Sequence, residues 1–203
     1  MTQTIHQSPL LSLTLPDQLC LKVTPEQFAS LARVNRELRL ERTATGDLIV
    51  NPPTGGQTGH RNFNLTTQLG IWFEANDHLG RGFDSSTGFE LPNGANRSPD
   101  VSWICQERWE SLTDSEREGF IPLCPDFVLE LRSKSDRLPD LRAKMQEYLD
   151  NGARLGWLID PLSQRVEIYR PGQTVEVVDN SSTLSGESVL PRFTLSLKRI
   201  FVP

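Results

Sequence analysis

Two acids and one lysine stand out in this chain as groups that do chemistry. In "CPDFVLELRSKSD", Cys124 to Asp136, Glu130 sits between Leu129 and Leu131, where a charge is expensive to bury unless it is paired or binds a metal. In "SPDVSWI", Asp100 opens another apolar run directly after Pro99, a residue whose missing N–H suits the first position of a strand or an edge. In "LRAKMQEYL", Lys144 lies at i+3 from Leu141 and i−4 from Tyr148, beside the apolar stripe of a helix. Two carboxylates plus a lysine on adjacent elements form the minimal set for metal-assisted attack of water on a phosphodiester. The carboxylates hold a hard divalent ion through oxygen, the ion acidifies water and neutralises developing charge, and the lysine stabilises or positions the attacking hydroxide.

The pattern around each group says which element must position it. In an extended strand Phe127, Leu129 and Leu131 share one face while Val128, Glu130 and Arg132 share the other. Glu130 is therefore aimed from a defined face. The spacing predicts a helix from roughly Pro139 to Asn151 that stops at Gly152. Its inward stripe is Leu141, Met145, Tyr148 and Leu149, so Lys144 can reach back toward the strand of Glu130. Tyr148 and Trp157 read as core, and Asp160 before Pro161 as the start of a turn.

Upstream, Thr24 as N-cap, Pro25 at the first helical position and Glu26 in the first turn signal a short helix. "ELRLERTATGDLIVNPP" alternates about a Gly-containing turn, the pattern of a hairpin. Leu65, Leu69, Trp72 and Phe73 fall at helical spacing in a long helix from His60 to about Asn76. Strand-like pieces broken by Gly, Pro and Asn follow, then a polar helix around "QERWESLTDSERE". "LGWLID" and "RVEIYRPG" predict two strands, and "TVEVV" and "FTLSLKRIF" close the chain as strands or a last short helix. Helices interleaved with strands, some joined by hairpins and some by a helical crossover, predict a mixed sheet covered by helices, α/β or α+β and not all-β.

At 203 residues the chain can fill one sizeable core. One domain spanning residues 21–203 is expected behind a loosely attached arm, residues 1–20. No apolar run approaches the roughly 20 residues of a membrane span, and the first twenty residues lack the basic start and apolar centre of a secretory signal; a soluble, cytoplasmic protein without a membrane partner is expected. Cys20, Cys105 and Cys124 are odd in number and lack CxxC spacing, which argues for reduced thiols. A net charge of −5 argues against holding DNA through a generally basic surface. "LRSKSDRLPDLRAK" remains as a local basic segment, whose plainer reading is a solvated loop and helix face. "SSTG", Ser85 to Gly88, lacks the triad spacing of a serine hydrolase.

The run "SPDVSWI … PDFVLELRSKSD … DLRAKMQEYLDNGARLGWLIDP … VEIYRPG" closely resembles the Uma-two family of restriction-endonuclease-like proteins, in the PD-(D/E)xK nuclease superfamily. The resemblance implies a restriction-endonuclease-like fold, a central mixed sheet flanked by helices, with a Mg²⁺ (or Mn²⁺) site. It matches Asp100 to the first acid of the motif, Glu130 to the second, and Ser133 and Ser135 to the serines just after it. Arg132 stands where the superfamily lysine is usual, and an arginine is a poor proton acceptor; Lys144 matches the lysine moved to the helix. The implied centre has Asp100, Glu130 and the Leu131 carbonyl as metal ligands, Lys144 orienting or activating water, and Arg132 on the scissile phosphate. Glu41 matches the acid of the first hairpin, an accessory carboxylate or a surface strand acid. His60 stands where relatives often have histidine, although a polar helix-start residue is the simpler account. The expectation is an endonuclease acting on DNA, as a homodimer by analogy. Its rival is a non-catalytic nucleic-acid-binding or regulatory module on a degenerate nuclease scaffold, and cleavage of RNA or a smaller phosphodiester is a third reading.

Overall fold

The computed structural model describes residues 20–202. The expected arm, up to residue 19, lies outside the described residues. Thr24 caps α1 (Pro25–Val34) through a reciprocal capping box with Gln27. The hairpin follows as β1 (Arg39–Arg42) and β2 (Leu48–Asn51), antiparallel with Glu41 opposite Ile49. Its turn needs Gly46 at a φ of 92°, a region closed to most side chains. Helix α2 (Gly56–Glu74) begins before the expected His60 and buries Leu65, Leu69 and Trp72.

Four strands come next: β3 (Gly80–Asp84), β4 (Phe89–Glu90), β5 (Asn96–Arg97) and β6 (Val101–Cys105). The single polar helix predicted after them is two, α3 (Gln106–Glu110) and α4 (Asp114–Glu118), because Thr113 forms its own capping box with Glu116 and restarts the helix. Then come β7 (Phe127–Leu131), α5 (Leu138–Asp150), β8 (Leu155–Asp160), β9 (Arg165–Tyr169) and β10 (Glu176–Asp179). The C-terminal pieces are β11 (Thr183–Ser185), β12 (Thr194–Ser196) and α6 (Lys198–Phe201); β11 lies outside the strands expected from sequence.

The main sheet has six strands in the order β10-β9-β8-β7-β6-β3. Its neighbours are antiparallel except β7 and β8, which are parallel and therefore need a crossover, supplied by α5. A second sheet orders β2-β1-β5-β4, and β11 pairs with β12. The expected mixed sheet flanked by helices is present, in an α+β arrangement.

The predicted alternation on β7 divides the core. Phe127, Leu129 and Leu131 pack with Trp103, Trp157, the α2 stripe Leu65, Leu69 and Trp72, and the C-terminal Leu195 and Ile200. Val128, on the other face, joins Ile104, Leu158 and the α5 residues Met145 and Tyr148. Each such fully buried side chain contributes about 1.5–3 kcal/mol. Gly156 lets α5 lie close on β8: a Cβ there would stand 2.5 Å from the Met145 terminal methyl. That approach sets Lys144, next to Met145, against the strand of Glu130.

Cys20, Cys105 and Cys124 are free thiols. Among the described residues no helix is long and apolar enough to cross a membrane.

Candidate active site

The ladder between β6 and β7 sets Val101 opposite Leu129, so one step further along the same antiparallel register Asp100 faces Glu130 on a common side of the sheet. The Leu131 amide fixes this end, donating to Asp100 Oδ2 at 2.9 Å. From α5, the Lys144 ammonium stands 2.8 Å from Glu130 Oε1 and 3.0 Å from Glu41 Oε1. Asp100, Glu130, Lys144, Glu41 and the Leu131 backbone thus converge from β6, β7, α5 and the first hairpin. Glu41 is a buried member of the cluster and not a surface strand acid.

The other candidates lie elsewhere. Arg132 shares the face of Glu130, but its Nη1 holds Asp160 Oδ2 at 2.8 Å, which ties it to the turn after β8. Ser133 donates its N–H to Asp136 Oδ2 at 2.7 Å, and its hydroxyl contacts that of Ser135 at 2.9 Å; both serines build the turn before α5. His60 is exposed and its Nε2 lies 3.2 Å from Asn64 Nδ2. Ser86 is bound to Asp84 in a turn, at 2.6 Å.

Five further residues complete the cluster. The Tyr148 hydroxyl donates to Glu130 Oε1 at 3.0 Å. Arg97 bridges Glu147 at 2.6 Å and Glu41 at 3.3 Å. Arg39 lies 3.5 Å from Asp100 Oδ1, and Asn62 donates to the same oxygen at 3.2 Å. Signals for two of them are in the sequence. Arg39 and Glu41 alternate on one face of β1, and Asn62 precedes Leu65 and Leu69 by helical spacing on the inward edge of α2.

The family model described as "Putative restriction endonuclease", Uma2, matches residues 25–198. The chain belongs to the Uma2 family. A solved structure described as a "putative nuclease belonging to DUF820", from Anabaena variabilis, is similar over 88% of this chain and 97% of that one, with a TM-score of 0.73 at 23% identity. That likeness establishes the fold. A DrdV–DNA complex matches 60% of this chain and 10% of its own at 18% identity, with a TM-score of 0.35, too low to carry an argument. No curated protein matches the sequence.

In this Uma2 chain four carboxyl groups, Glu41, Asp100, Glu130 and Glu147, meet three cationic side chains, Arg39, Arg97 and Lys144. The Glu130 carboxyl stands at about 7, raised first by burial and further by Asp100 and Glu41, against the downward pull of Lys144. Burial alone would lower the Lys144 pKa, but Glu130 and Glu41 hold it above the ordinary lysine value. Lys144 is therefore an ammonium and a poor proton acceptor. Burial raises Glu41 as well, and Lys144 with Arg97 outweighs it, leaving that carboxyl below its usual range.

Among the described residues no three Asp, Glu, His or Cys side chains form a ready-made metal cage. Magnesium does not require one, since it commonly takes one or two carboxylates and completes its shell with water and phosphate oxygens. Both close contacts to Glu130 fall on Oε1, and no hydrogen bond among the described residues reaches Oε2. Crowded carboxyl groups and an uncommitted Glu130 oxygen fit a hard divalent cation beside Asp100 and Glu130. A cleft of about 510 Å³, bounded by Asn93, Ala143, Gln146, Glu147, Asp150 and Asn151, meets the cluster only at Glu147. Of the charged members of the cluster, the Arg39 side chain is the most exposed, at 33%.

Proposed function

We propose that this Uma2 protein is a magnesium- or manganese-dependent endonuclease that hydrolyses phosphodiester bonds in DNA, with Asp100, Glu130 and Lys144 at its centre. The observation that carries the reading is the meeting of these three side chains from separate elements, with Glu130 Oε2 left uncommitted. The family description, a restriction endonuclease, supports the reaction class. Exposed Lys134 and Arg137, on the turn that follows Glu130, are suited to a DNA backbone.

A divalent ion held by Asp100, Glu130 and the Leu131 carbonyl would polarise the phosphate and acidify water. Lys144, kept as an ammonium by Glu130 and Glu41, stabilises negative charge as it builds on the phosphate oxygens. Tyr148 fixes the orientation of Glu130 and leaves its second oxygen open. Glu41, itself paired with Arg97, holds Lys144 from behind. Two copies acting together would supply one centre for each strand of a duplex, a homodimer that light scattering can weigh.

The test is nicking of supercoiled plasmid with Mg²⁺ and with Mn²⁺, alongside thermal unfolding with and without the same ions. The wild type nicks and is stabilised by metal; Glu130→Ala abolishes nicking, and Asp100→Ala loses the metal-induced stabilisation. Equal nicking by Glu130→Ala and wild type would refute this centre. A wild type that binds duplex and leaves it intact with either ion would be a non-catalytic module on the nuclease scaffold.

A further inference from the structure

The arginine that best fits the sequence pattern for contacting phosphate, Arg132, is committed to Asp160 at 2.8 Å. Arg97 is committed as well, to two carboxylates, and its side chain is 9% exposed. Lys144 is shared between Glu130 and Glu41. Arg39 differs from all three. Its carboxylate contact, to Asp100 Oδ1, is long at 3.5 Å. Nη2 makes one bond, to the Ser98 carbonyl at 2.8 Å, and the buried Nε has no partner among the described residues. At 33% exposed, Arg39 is also the most open charged member of the cluster.

We propose that Arg39 is the residue that receives the scissile phosphate. The assignment rests on the endonuclease reading and adds to it the substrate-contacting group. A guanidinium presents a planar fork that binds two phosphate oxygens at once, and Arg39 combines an unpartnered Nε with the most exposed side chain among the charged members of the cluster. Turning toward a phosphate gives up the long contact to Asp100 and the Nη2 bond to the Ser98 carbonyl, and paired bonds to two phosphate oxygens replace them. Asp100 keeps its place meanwhile, held by the Leu131 amide at 2.9 Å and the Asn62 side-chain amide at 3.2 Å. Arg39 stands 3.5 Å from Asp100 Oδ1, beside one of the two acids proposed to hold the metal.

Two measurements test the assignment on the full-length protein: equilibrium binding of a DNA duplex across a salt series without divalent metal, and kcat and KM for plasmid cleavage with Mg²⁺. Losing one phosphate contact lowers the slope of log K against log salt by about 0.9. Arg39→Ala shows that drop, and its kcat/KM falls about ten- to a hundredfold, the worth of hydrogen bonds to a charged group. Arg39→Lys keeps the salt slope but still loses kcat/KM, because the charge survives and the fork does not; it also decides the matter if Arg39→Ala does not fold. Arg132→Ala loses less than either. An Arg39→Ala slope and kcat/KM equal to wild type, full activity in Arg39→Lys, or a loss confined to Arg132→Ala would overturn the assignment. A wild type that neither binds nor cuts DNA would instead remove the endonuclease reading, and this assignment with it.

Discussion

Replacing Glu130 by glutamine tests the central electrostatic claim without requiring any activity. The carboxyl stands at about 7 in the folded protein against 4.5 in an open chain. At about 1.4 kcal/mol per pH unit, the difference amounts to roughly 3 kcal/mol. Burial is the first cause; the Lys144 ammonium opposes it, and the Asp100 and Glu41 carboxylates reinforce it. Because the folded state takes up this proton more readily than the unfolded state, protonation stabilises the fold. That contribution is complete below about pH 4.5 and is gone once the pH has risen through about 7. Glutamine is neutral throughout and lacks the slope. Urea unfolding of both proteins in chelator, from pH 4.5 to 8, should show the wild type losing about 3 kcal/mol relative to Glu130→Gln, equivalent to roughly 6–12 °C in Tm for a chain of this size. Glu41, whose lowered pKa works in the opposite sense, does so chiefly below this pH window. Parallel pH profiles would refute the reasoning, because they would mean that Glu130 ionises as if in water.

Four other substitutions probe the frame of the site. Tyr148→Phe removes the buried hydrogen bond to Glu130 and should cost about 1.5–3 kcal/mol in metal-free unfolding; an unchanged midpoint would show that the hydroxyl does not hold the acid. Arg97→Ala leaves Glu41 and Glu147 without the guanidinium that joins them and should cost about 3–5 kcal/mol, read by the same unfolding curves. Gly80→Ala and Gly156→Ala should differ sharply. The first drives a Cβ to 2.1 Å from the Ile104 carbonyl, while the second meets the flexible end of Met145. Calorimetry should show Gly80→Ala at or beyond the roughly 1–3 kcal/mol of ordinary overpacking, with Gly156→Ala milder.

The strand of Glu130 was legible because strict alternation and a following amphipathic helix constrain each other. Leu129 and Leu131 needed one apolar face, which put Glu130 on the other; the stripe Leu141, Met145 and Tyr148 then fixed Lys144 opposite it. Local capping chemistry was legible at Thr24 and underweighted at Thr113, where a capping box split the polar helix. The partners Arg97 and Glu147 escaped notice because their contact joins β5 to α5 across the fold, and no periodicity carries that information. Arg132 went astray for a related reason. Strand alternation gave its face correctly, but its partner Asp160 is a neighbour only through the parallel pairing of β7 with β8. Tyr148 was placed in the core as expected, and its hydroxyl contact to Glu130 is what a buried tyrosine needs.

The lone parallel pair in the main sheet has a bearing on biogenesis. A nascent chain that has emerged only as far as α5 already contains Glu41, Asp100, Glu130 and Lys144, yet it lacks β8, the strand against which the crossover helix seats. Long-range pairings of this kind form slowly. The cluster of Glu41, Asp100, Glu130 and Lys144 is therefore assembled only late in synthesis, after β8 has emerged.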